Sequence, residues 1–80
     1  MEPDPREIET VAAAIRPLLA GHDPTIQGAA LADLLALFIA GHHPKLRDGV
    51  LETTVELVRK LIPVNVEMMI EAGKAPSDWR

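Results

Sequence analysis

The chain is eighty residues long, with no cysteine, no tyrosine, one tryptophan and one phenylalanine, and its eight Lys and Arg against twelve Asp and Glu leave a net charge of -4. The missing cysteine excludes disulfides, thiolate zinc sites, iron-sulfur clusters and a cysteine nucleophile. The acidic balance argues against nucleic acid and anionic lipid as partners, while 48% apolar and 25% charged residues are the composition of a chain that folds.

The first helix is predicted over residues 5–20. Asp4-Pro5-Arg6-Glu7 supplies a capping carboxylate, a proline at the first helical position and a glutamate three residues after the cap. Ile8, Val11, Ala12, Ile15, Leu18 and Leu19 recur at helical spacing on one face, with Arg6, Glu9, Ala13, Arg16 and Pro17 opposite. On that polar side a proline is absorbed as curvature, and Gly21 closes the helix.

Asp23-Pro24 repeats the start signal for a second helix over residues 24–40, closed by Gly41. At about 100° per residue its apolar side chains run nearly all the way round. Leu31, Leu34, Leu35, Phe38 and Ile39 form a bulky face, Ala29, Ala32 and Ala36 a flat strip, and Ile26, Ala30 and Leu37 much of the rest. Asp33 is the one charge between Gln27 and Gly41, and it is expected either to face the one wet gap or to form a buried polar pair with Arg47 that specifies register.

His43-Pro44 opens a third helix over residues 44–62, with a wide apolar face that includes Val50, Leu51, Val55, Val58 and Ile62. Glu52 and Glu56 lie on the charged face, Glu56 in the favourable order with Lys60. Pro63 either kinks this helix or ends it before a C-terminal helical segment over residues 64–72, and an irregular tail over residues 74–80 is expected to be pinned by Trp79. The phrase Ala-Gly-His-x-Pro occurs at Ala20 and again at Ala40, each copy ending one helix with a left-handed glycine and capping the next. Gly28 and Gly49, in the second turn of their helices, point to close helix contact.

These elements predict one all-α domain over residues 1–80, a small helical bundle of three long helices with a possible short fourth. A helix apolar on every side has to be buried on every side, and a chain this short has little with which to cover it. The expected function is therefore a non-catalytic helical interaction or oligomerisation module, a homodimer or a complex with another protein. Its expected interface is Leu31, Leu35, Phe38 and Ile39 with Val55, Val58, Ile62, Met69 and Ile70. Of the alternatives, a metal-linked oligomer would use His42 and His43, because His22 lies roughly 25 Å away at the other end of the second helix. A helix-turn-helix regulator of DNA is opposed by Asp48, Glu52 and Glu56 on the would-be reading helix. Catalysis lacks a phosphate loop, a nucleophile elbow or a histidine-glutamate zinc motif, and no cofactor is expected. The acidic start has no signal-peptide pattern and the longest apolar run is short for a bilayer, so a cytoplasmic protein without a membrane segment is expected.

Overall fold

The computed structural model describes residues 2–80, and the chain is all-α, with three long helices and no strand among those residues. Helix α1 spans Pro5–Leu19, α2 spans Pro24–Ala40 and α3 spans Arg47–Glu71, with short 3₁₀ turns at Pro44–Leu46 and Ser77–Trp79. The chain divides within α2 into two units, one reaching Ala36 and the other running from Leu37 to Arg80. No helix is long and apolar enough to cross a membrane among the described residues.

In the first unit, the start of α1 is held as its sequence dictates. Asp4 accepts from the Arg6 N–H at 2.9 Å, Pro5 occupies the position whose N–H has no helical partner, and Glu7 adds an acid to the first turn. The helix continues through Pro17, which deletes the hydrogen bond to the Ala13 carbonyl on the polar side. It ends in a type II turn: Ala20 lies at φ -60°, ψ 139°, Gly21 at φ 82°, and the His22 N–H donates to the Leu19 carbonyl at 3.3 Å. Asp23 then accepts from the Thr25 N–H at 2.8 Å and starts α2. Gln27 bridges the corner, donating from Nε2 to the Leu19 carbonyl at 2.7 Å.

In the second unit, the repeated phrase is built differently. Gly41 has no positive φ, and its N–H continues the helical pattern by donating to Leu37 at 3.1 Å. Arg47 takes over the capping instead, donating from Nε to the His42 carbonyl at 3.2 Å and from Nη2 to the Ala40 carbonyl at 3.0 Å. A cation on the last carbonyls of a helix is favoured by their partial negative charge. His43 Nδ1 accepts from the Lys45 N–H at 3.1 Å and caps the 3₁₀ turn that leads into α3.

The third helix is neither ended nor split at Pro63. It runs uninterrupted to Glu71, joining the two segments expected on either side of the proline. Pro63 costs one bond, to the Arg59 carbonyl, while Thr54 and Asn65 add side-chain bonds to the Val50 and Leu61 carbonyls at 2.7 and 2.9 Å. The helix closes in a Schellman motif on Gly73, φ 73°, with Lys74 N–H donating to Met69 at 2.8 Å and Gly73 N–H to Ile70 at 3.0 Å.

The two corner glycines should therefore differ in their tolerance of a side chain. Gly21→Ala places a Cβ on a left-handed residue and is expected to destabilise the chain by about 1–2 kcal/mol. At Gly41 an added Cβ meets the Phe38 and Leu37 carbonyls at 3.5 and 3.6 Å, ordinary contact, so Gly41→Ala should lie within about 0.5 kcal/mol of the parent. Denaturant unfolding followed by circular dichroism decides it, and equal costs at the two positions would contradict these turn assignments.

Candidate interaction surface

Among the described residues no side chain is buried, apolar or polar. In the first unit, Ile8, Val11 and Leu18 on α1 and Ile26, Leu31 and Leu34 on α2 are exposed, while Ala12, Ile15, Leu19, Ala30 and Leu35 are half-buried. In the second, Leu37 and Phe38 of α2 are exposed, as are Leu51, Val55, Leu57, Val58, Leu61, Ile62, Val64, Met68 and Met69 of α3. Both helical stripes are formed, and in each unit their larger side chains are mostly exposed.

The interface residues read from the sequence stand as follows. Leu31, Phe38, Val55, Val58, Ile62 and Met69 are exposed, and Leu35, Ile39 and Ile70 are half-buried. Along α3, Val58, Ile62 and Met69 line one shallow groove with Leu61 and Val66. Ile70 follows Met69 by one residue, about 100° away, and belongs to a different face. A second groove lies where α2 meets α3. Phe38, His42, Leu46, Gly49, Val50 and Thr54 line it, and the Phe38 and His42 rings pack edge to face with centroids 4.9 Å apart. The sequence reading passed over Leu18 and Leu37, which at 73% and 69% are the most exposed large apolar side chains. Both sit at the last turn of a helix next to polar corner residues, and their exposure marks the apolar surface as wider than one stripe per helix.

Each unit has about 40 residues, the size below which a chain rarely folds without a staple.

Close helix contact was expected at Gly28 and Gly49; among the described residues a Cβ built at either meets nothing within 4 Å. Asp33 and Arg47, expected as a buried pair, belong to different units. Both residues are exposed, and the Arg47 guanidinium is taken by the carbonyls of Ala40 and His42, which are closer along the chain and have no helical donor. The two loop histidines have distinct jobs. A carbonyl only accepts, so His42 Nδ1 donates to Phe38 at 2.9 Å and leaves Nε2 with a free lone pair. His43 Nδ1 accepts a backbone N–H, so its proton sits on Nε2 and the capping role competes with metal ligation. No group of three or more His, Asp or Glu is placed to hold a metal among the described residues. No protein family model, curated protein or solved structure matches the chain.

Two ion pairs form on the outside, Glu9 with Arg16 along α1 and Glu67 with Arg80. The second ties the tail to α3, a role expected of Trp79, which is instead exposed. Arg80 grips both Glu67 oxygens, Nη2 reaching Oε2 at 3.1 Å. That hydrogen bonding, then the charge attraction, holds the Glu67 carboxyl below its ordinary value against a smaller opposing effect of desolvation, and it raises Arg80. With the carboxyl depressed in the folded form, the contact contributes fully above the ordinary glutamate range and is lost as pH falls through the lowered value. Trp79 is the neighbour of Arg80 and the one tryptophan, so its fluorescence anisotropy should drop on acidification through that window. Glu67→Gln should start low and stay flat; an identical titration in the variant would contradict the tether.

Proposed function

We propose that this protein is a non-catalytic helical interaction or oligomerisation module, whose apolar helices acquire their core from another polypeptide chain. The observation that carries this reading is that each unit leaves its large apolar side chains exposed, Ile8, Val11, Leu18, Leu31 and Leu34 in one and Leu37, Phe38, Val58, Ile62 and Met69 in the other. Burying one such side chain is worth about 1.5–3 kcal/mol, against about 1 kcal/mol for a helix cap. Apolar side chains therefore outweigh the polar features of the chain in this reading.

The polar groups support the same reading. Histidine, aspartate and arginine side chains near the helix corners serve as caps for backbone groups. The exposed acids Asp48, Glu52 and Glu56 oppose a phosphate-reading role for α3. For the metal-linked alternative, His42 Nε2 is the one loop nitrogen with a free lone pair in the second unit, which falls short of the ligand number of a structural zinc site even when doubled.

The absence of cysteine allows a clean test. Leu37→Cys and Glu52→Cys would be labelled with a maleimide in the cells that make the protein, where any partner is present. Leu37→Cys should react at least roughly tenfold more slowly than Glu52→Cys, as burial by another chain requires. Equal rates would mean that α2 is wet in the working protein, and would overturn the proposal.

A further inference from the structure

We infer that the groove at the corner between α2 and α3 binds the C-terminal residue of a partner chain, one that ends in a large apolar amino acid with a free carboxylate. The inference rests on the interaction-module reading above and gives that reading a partner of defined chemistry.

The groove is built within the second unit. Phe38 comes from the last turn of α2, His42 from the corner, Lys45 and Leu46 from the 3₁₀ turn, and Gly49, Val50, Thr53 and Thr54 from the first two turns of α3. Its volume, about 520 Å³, lies in the range of ligand sites, roughly 300–1,000 Å³.

Each feature of a chain terminus finds a counterpart there. The two ionisable residues that line the groove, Lys45 and His42, are both basic in a protein of net charge -4. Lys45 is exposed and belongs to neither ion pair among the described residues, so its ammonium is free to meet a carboxylate. Thr54 donates its hydroxyl to the Val50 carbonyl at 2.7 Å, which leaves the exposed Thr53 hydroxyl to support the same anion. His42 is already oriented, with Nδ1 donating to the Phe38 carbonyl at 2.9 Å and its ring edge to face with that of Phe38. Nε2 is left to accept the N–H of the terminal residue, whose side chain meets Phe38, Leu46 and Val50.

Gly49 adds an independent observation. A glycine inside a helix costs about 1 kcal/mol relative to alanine. Gly49 has no positive φ, and a Cβ there meets nothing within 4 Å, so neither its own conformation nor packing among the described residues calls for it. Lining the groove, it leaves room for the main chain of a bound residue to approach closely. An internal residue brings either an apolar side chain or a carboxylate; a terminal one brings both, together with its N–H, as in the capture of chain ends by other recognition sites.

The test uses the full purified chain and the peptide acetyl-Ala-Ala-Leu with a free C-terminus, followed by backbone amide NMR. Saturable shifts centred on Lys45, Gly49, Val50 and Thr53 are expected, with a Kd of about 1 mM or below. The same peptide as its C-terminal amide, and Lys45→Gln with the free acid, should each bind at least about tenfold more weakly. Gly49→Leu, a better helix former, should keep the helix and lose binding because its side chain fills the groove. Glu56→Gln, outside the groove, should leave binding unchanged. Equal affinity for acid and amide would overturn the inference, as would shifts spread evenly over all three helices, or a purified chain without the Phe38–His42 ring contact, in which the groove would not exist. A silent peptide with Leu37→Cys still protected in cells would overturn this inference and leave the module reading standing. Unprotected Leu37→Cys with a peptide that binds would overturn the module reading and leave the groove.

Discussion

Apolar burial is the interaction this chain leaves least satisfied, since no side chain among the described residues is buried and each unit exposes large apolar residues. Its capping hydrogen bonds and ion pairs are local, spanning thirteen residues at most, and they shape helix ends without bringing hydrophobic faces together. Such contacts decide where a helix starts and stops. They contribute about 1 kcal/mol each, far less than the apolar area at stake, so they order the pieces and leave the choice of state to burial.

The helix α2 makes the imbalance concrete. Most proteins of this size give each helix a polar face and turn the remainder inward. Here the polar face is reduced to Asp33 and Gln27, and Gln27 is already committed to the corner carbonyl of Leu19. Helix α3 has a proper charged face, and its apolar side is long because Pro63 fails to stop it. Putting the proline on the polar side sacrifices a hydrogen bond where water can replace it, and keeps the stripe continuous from Val50 to Met69.

Much of the fold was legible because helix punctuation is local chemistry. Asp4, Asp23 and His43 cap where their spacing to Pro5, Pro24 and Pro44 implied, and Gly21 and Gly73 take the positive φ that only glycine adopts cheaply. Legibility failed wherever the outcome depended on a competing partner. Two similar phrases, at Ala20 and Ala40, gave different corners: at the first Gln27 donates to the Leu19 carbonyl, and at the second Arg47 donates to those of Ala40 and His42. Arg80 rather than Trp79 anchored the tail because Glu67 offers it two oxygens.

The interface residues were legible as a type and less so as a set. Periodicity named Leu31, Phe38, Val58, Ile62 and Met69 as apolar and outward, and they are exposed; it had no means of ranking Leu18 and Leu37 above them, since exposure depends on what packs nearby. By itself, then, the sequence determined the three helices, their caps and the apolar stripes they carry, because propensity, capping and periodicity act within a few residues of one another. Only the tertiary structure decided that Pro63 is passed through, that Arg47 closes α2, and that no side chain among the described residues is buried. Those outcomes turn on which groups meet through space, and pattern along a chain does not contain that.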